Sequence, residues 1–111
     1  MAVITRKPRE RLIASSGARG TREALLAGPA SGCNRFTVKK LTLDADGITA
    51  RLSERAGAVY FLHSGAVTMS HGSGELDVLE AGDTAVVHPG ETHRLHNTHG
   101  GKSTVLVVTP Q

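Results

Sequence analysis

At 111 residues with a formal net charge of +3, the chain has room for one domain with a single core and too little for two. Aromatic residues make up 3% of it, Trp is absent and Gly occurs 13 times, so the core must come from Val, Leu, Ile and Ala set between many tight turns. A lone cysteine, Cys33, excludes an internal disulfide framework and fits a reducing, cytoplasmic setting. No apolar run of about 18 residues occurs, and the opening MAVITRKPRE has no apolar centre, so neither a membrane helix nor a signal peptide is expected.

The charge is unevenly spread. Residues 1–22 hold six basic side chains against the single acid Glu10, whereas the remainder holds seven basic and nine acidic ones. This reads as a basic N-terminal arm, residues 1–33, packing on the body of residues 34–111 or on a partner subunit. Nucleic acid is not an expected partner, because no aromatic residues interleave with the basic ones to stack bases.

Within the arm, Thr21–Gly28 is ambiguous between a short helix capped by Thr21, with Leu25 and Leu26 inward, and a strand. Strand is the preferred reading. From Asn34 the apolar period is two. Phe36 and Val38 alternate, and Leu41 and Leu43 resume in the opposite phase after Lys39-Lys40, which predicts a bulge or a crossing between layers. Asp44–Gly47 reads as a turn and Ile48–Ser53 as the next strand. Ala58–His63 is strongly β-prone, with Tyr60 and Leu62 inward and Phe61 outward. Ala66–Ser70, a loop at His71–Gly74, a strand holding Leu76 and Val78, and the closing run Thr104–Thr109 follow. Short strands with turns every few residues predict an all-β fold, a small jelly-roll β-barrel.

The most informative stretch is Gly82–Asn97, GDTAVVHPGETHRLHN. Pro89 and Gly90 punctuate it as a hairpin turn, with His88 and His93 on opposite strands at its closed end. On the return strand His93, Leu95 and Asn97 share one face, and Arg94 and His96 the other. Gly82, Gly90, His93 and Asn97 match the second motif of the cupin family, Gly-x5-Pro-x-Gly-x2-His-x3-Asn; His88 stands where the family has proline. The chain therefore resembles a small single-domain cupin over residues 34–109.

The family's first motif supplies two histidines and a glutamate that, with the motif-two histidine, hold a metal. Counting back from Gly65 puts the glutamate position at Ala58. The histidine positions fall at Arg51 and Ser53, or at Leu52 and Glu54. Only His93 of the four ligands remains, so no metal, no cofactor and no redox chemistry that depends on one are expected. His63, His71, His96 and His99 read as exposed.

His93 and His88 are the candidate acid–base groups, because imidazole titrates near neutrality, and Tyr60 is a cavity-facing hydroxyl. Arg51, Glu54 and Asn97 are the candidate substrate-binding residues; an inward Arg51 would suit an anionic substrate through paired hydrogen bonds. Three function classes follow. The first is a metal-independent cyclase, isomerase or lyase of a biosynthetic pathway. The second is a non-catalytic ligand-binding or accessory protein. The third is a metal site rebuilt from His88, His93 and a carboxylate such as Glu54. A homodimer is expected, with Phe61 and the N-terminal arm at the contact.

Overall fold

A computed structural model describes residues 2–111 as ten strands and one short 3-10 turn at Pro29–Ser31. The strands are β1 (Arg11–Leu12), β2 (Arg19–Ala27), β3 (Phe36–Ile48), β4 (Leu52–Ser53) and β5 (Ala58–Ser64). They continue with β6 (Ala66–His71), β7 (Glu75–Glu80), β8 (Thr84–Val87), β9 (Thr92–His96) and β10 (Ser103–Pro110). All pairings are antiparallel. The main path runs β7-β6-β9-β3-β10-β5-β8, with β2 laid along β3, β1 on β2, and β4 on β9. The result is a nearly closed, all-β barrel. Of the first 33 residues, the stretch forming β2 is hydrogen-bonded along β3, as the strand reading of Thr21–Gly28 anticipates.

The core follows from alternation on the inner faces. In β5, Ala58, Tyr60 and Leu62 are buried while Val59 and Phe61 face out. Ser103, Val105 and Val107 do the same in β10, and Leu41, Leu43, Val67, Met69, Leu79, Val87 and Leu95 complete the cluster. With no Trp and one Tyr, aliphatic packing carries the fold.

Three expectations are corrected here. Asp44–Gly47 is not a chain reversal, because β3 runs through it. The pairing with β2 jumps from Thr21↔Leu43 to Arg19↔Ile48, so these residues are an irregular bulge. Asp46 takes φ 61° there, and a Cβ on Gly47 would lie 2.6 Å from the Gly20 carbonyl oxygen, which only glycine tolerates. The expected bulge or layer crossing at Lys39-Lys40 is also absent from β3: its pairing with β10 is unbroken from Phe36 to Leu43, so Phe36 and Val38 lie on the outer face and Leu41 and Leu43 on the inner one.

The third correction concerns His88-Pro89-Gly90. It turns, but not as a hairpin, since β8 pairs with β5 while β9 pairs with β3, β4 and β6. The turn carries the chain from one side of the barrel to the other. Among the described residues, no helix is long and apolar enough to cross a membrane.

Candidate active-site cavity

A cavity of about 300 Å³ opens between β2, β3, β4, β5 and β10, covered by residues from Ile13 to Ala18. Its size is at the lower end of small-molecule sites. Leu41, Leu52, Val107 and Ile13 form the apolar wall, and Glu54, Tyr60, Glu23, Lys39 and Thr21 supply the polar groups.

Tyr60 and His93 form a buried polar pair beside the cavity. Tyr60 is 1% exposed, and its hydroxyl lies 2.6 Å from Nε2 of His93, the rings meeting edge to face at 5.2 Å and 69°. His93, also 1% exposed, sits 3.1 Å through Nδ1 from the carbonyl oxygen of Glu91. A carbonyl only accepts, so Nδ1 carries the ring proton and Nε2 is left as acceptor. Tyr60 therefore donates to His93. Burial, helped by the nearby negative charge of Glu54, pushes the Tyr60 pKa up, so the phenol is neutral at pH 7.

The register of β4 decides between the two spacings left open by the sequence. Leu52 lies opposite His93, and Leu52 and Glu54 line the cavity, whereas Arg51 and Ser53 are exposed. Arg51 instead borders a small separate hollow with Ser70, His71 and Thr92, so it is not a cavity residue, and the expectation of an inward arginine fails. His88 is likewise displaced. It is exposed and lies in the groove between β7 and β8 with His71 and Glu91, because its turn links two strands that are not paired. It does not meet His93.

Asn97 is fully buried, but its work is structural. Its amide nitrogen donates to the carbonyls of Leu43 and Asp44, each 3.0 Å away, and to that of Gly101 at 2.6 Å. Its oxygen accepts from the His99 amide at 3.0 Å. Every polar atom is taken by backbone, leaving nothing for a substrate. Of the six site residues expected from sequence, then, Tyr60, His93 and Glu54 come together, and His88, Arg51 and Asn97 do not.

The sequence reading missed Thr21, Glu23 and Lys39. Thr21 and Glu23 are inward in β2, whereas Leu25, apolar and expected inward, is 46% exposed. The signal was a Thr-x-Glu alternation within a segment whose strand register was unsettled. Thr21 is fully buried and its hydroxyl has no hydrogen-bond partner among the described residues. An unsatisfied buried hydroxyl costs about 1–3 kcal/mol, so the position is conspicuous on a cavity wall.

No family model matches this sequence, and no curated protein does. Solved structures do. The polyketide cyclase RemF from Streptomyces resistomycificus superposes with a TM-score of 0.86 at 19% identity, over 94% of this chain and 74% of that one. A predicted oxalate decarboxylase from Thermotoga maritima gives 0.82 at 19% identity, over 97% and 96%. A cupin-superfamily sugar phosphate isomerase from Silicibacter pomeroyi gives 0.72 at 23%, over 83% and 60%. The chain has the cupin fold.

The fold brings with it the question of a metal. His93 stands where a cupin's motif-two ligand would, but its Nε2 is engaged by Tyr60, and the position opposite it in β4 is Leu52. Ala58 replaces the motif-one glutamate. Among the described residues no group of three or more His, Cys, Asp or Glu side chains is placed to hold an ion. The donor set does not fit a first-row divalent metal, which needs three or more protein ligands in fixed geometry.

Proposed function

We propose that the cavity binds a small carbonyl compound and moves a proton at the carbon beside the carbonyl, as a metal-independent cyclase, isomerase or lyase. The observation that carries this reading is the 2.6 Å bond from the Tyr60 hydroxyl to His93 Nε2. Tyr60 is on the cavity wall and His93 is behind it, so Tyr60 is the group that touches substrate. As the Tyr60 oxygen takes the substrate proton, Tyr60 passes its own proton to His93 Nε2. The electron pair of the C–H bond becomes the enolate. His93 then carries both ring protons, its Nδ1–H held on the Glu91 carbonyl. Return of a proton by the reverse path, at a different atom, completes an isomerisation or closes a ring. Because the phenol pKa is raised, the two proton movements are coupled and no free phenolate accumulates. Glu54, the carboxylate on the same wall, accepts a hydrogen bond from a substrate hydroxyl and orients it. The cyclase and isomerase among the similar folds support this class of chemistry without naming a substrate.

The test is proton exchange. Small ketones would be incubated with the protein in D2O and deuterium uptake at the α-carbon followed by NMR. Tyr60→Phe should lower the exchange rate by about 100-fold or more, the usual worth of a positioned acid–base group. His96→Ala, outside the cavity on an exposed bond to Asp46, should leave it unchanged. Equal rates in wild type and Tyr60→Phe would end the relay reading. The second reading, a non-catalytic binding protein, would then hold; it is favoured by the position of His93 off the cavity wall.

A further inference from the structure

We propose that the cavity selects an uncharged, mostly apolar ligand carrying two oxygen functions, a carbonyl whose α-carbon sits at the Tyr60 oxygen and, at the other end, an oxygen bonded by the hydroxyl of Thr21. This rests on the reading of the cavity as a binding site, and it does not need the proton relay. Two observations lead to it.

The first is position. Tyr60, Val107 and Lys39 lie in one cross-strand row, whereas Thr21 pairs with Leu43, four residues further along β3. At about 3.3 Å per residue the Cα rows that hold Tyr60 and Thr21 are about 13 Å apart along β3. Leu41 lies in the row between them, Val107 lies beside Tyr60, and Ile13 and Leu52 add to the apolar lining. A ligand seated on that wall meets hydrocarbon along its length and a hydroxyl near each end. Thr21 is fully buried, forms part of the wall and has no partner among the described residues, so it is a buried hydroxyl there with its bonding capacity unused.

The second is charge. The charged side chains on the wall are Glu23, Glu54 and Lys39. Lys39 Nζ already lies 3.7 Å from Glu23 Oε2, and Arg51, the residue on which an anionic substrate was expected to dock, borders a different hollow. A carboxylate or phosphate entering the cavity would face two like charges and a cation already partnered, which disfavours it. Neutral oxygen functions meet no such penalty.

Three rigid probes of matched shape separate these terms: 6-acetyl-2-naphthol, 2-acetylnaphthalene and 6-acetyl-2-naphthoate, with binding to the full chain measured by calorimetry. Wild type should hold the hydroxy ketone about 5- to 10-fold more tightly than the ketone lacking the hydroxyl, the worth of one net hydrogen bond, and the carboxylate most weakly. Thr21→Val should abolish the preference while leaving the affinity for 2-acetylnaphthalene in place. Thr21→Ser, which keeps the hydroxyl, should retain the preference. A thermal midpoint of Thr21→Val at or above that of wild type would confirm that the wall is intact. A preference that survives Thr21→Val, a carboxylate that binds tightest, or no binding of any probe at millimolar concentration would each overturn the inference. Binding and proton exchange are separate readouts. A protein that shows the Thr21-dependent preference but exchanges no α-proton keeps this inference and loses the relay.

Discussion

At the scale of single residues, Asn97 illustrates how a polar side chain inside a barrel becomes structural. Its two amide hydrogens are shared among three carbonyls, and these hold the bulge after Leu43 against the loop at Gly101. Replacing it by alanine leaves those carbonyls unpaired in a buried place. Asn97→Ala is expected to cost about 3 kcal/mol or more in chemical denaturation, since each unmet buried group costs about 1–3 kcal/mol. A loss below about 0.5 kcal/mol, within the spread of ordinary surface changes, would mean that water replaces the amide at no cost. Tyr60 was legible in the sequence because period-two alternation in β5 has no interruption, and the buried row Ala58, Tyr60, Leu62 follows from it directly. Arg51 was not. Its orientation depended on a count from Gly65 with two permitted spacings, and only the pairing of Leu52 with His93 decides between them.

At the scale of elements, strands were legible where residues alternate and connections were not. The turn at Pro89-Gly90 carries the local chemistry of a hairpin, yet which strand each flank pairs with is set by packing across the barrel, which no local signal encodes. The same holds for the segment over the cavity. Ile13 is anchored by its amide on the Thr21 carbonyl at 3.0 Å, and Ser15 to Ala18 form a turn closed at 3.0 Å. The turn is tied down by Arg94 of β9, whose Nε donates to the Thr49 carbonyl and whose Nη2 donates to the Gly17 carbonyl, both at 2.7 Å. One cation thus joins the cover of the cavity to its floor. Hydrogen bonds from a charged donor contribute about 1.5–3 kcal/mol, so Arg94→Ala should raise amide exchange in the 13–18 segment by about tenfold or more. Exchange in β10 should not change. Hydrogen-exchange mass spectrometry reads both, and an unaltered 13–18 segment would show that Ile13 and the turn hold the cover unaided.

At the scale of the whole molecule, the barrel leaves an apolar outer face beside an open edge. β8 ends the strand order with one side unpaired, and its Val86 is 64% exposed. Val86 lies opposite Val59 of β5, which lies opposite Val108 of β10, so the apolar stripe crosses three strands. Phe36, Pro89 and Pro110 border the groove beside it, and Phe61 is exposed on the same face of β5. A stripe of this kind next to an unpaired strand is a self-association surface unless something covers it. A second copy of the chain is the expected cover, since the same stripe on both copies is self-complementary about a twofold axis. A stable interface takes about 800 Å² from each partner, a modest share of the chain's 6803 Å². Light scattering at micromolar concentration should give twice the 11.6 kDa chain mass. Val86→Lys combined with Val59→Glu places charges in the middle of the stripe, where desolvating them is costly, and should return the protein to a monomer with its melting temperature little changed. A double variant that remains dimeric would move the interface off this face, and a monomeric wild type would leave the stripe open to water.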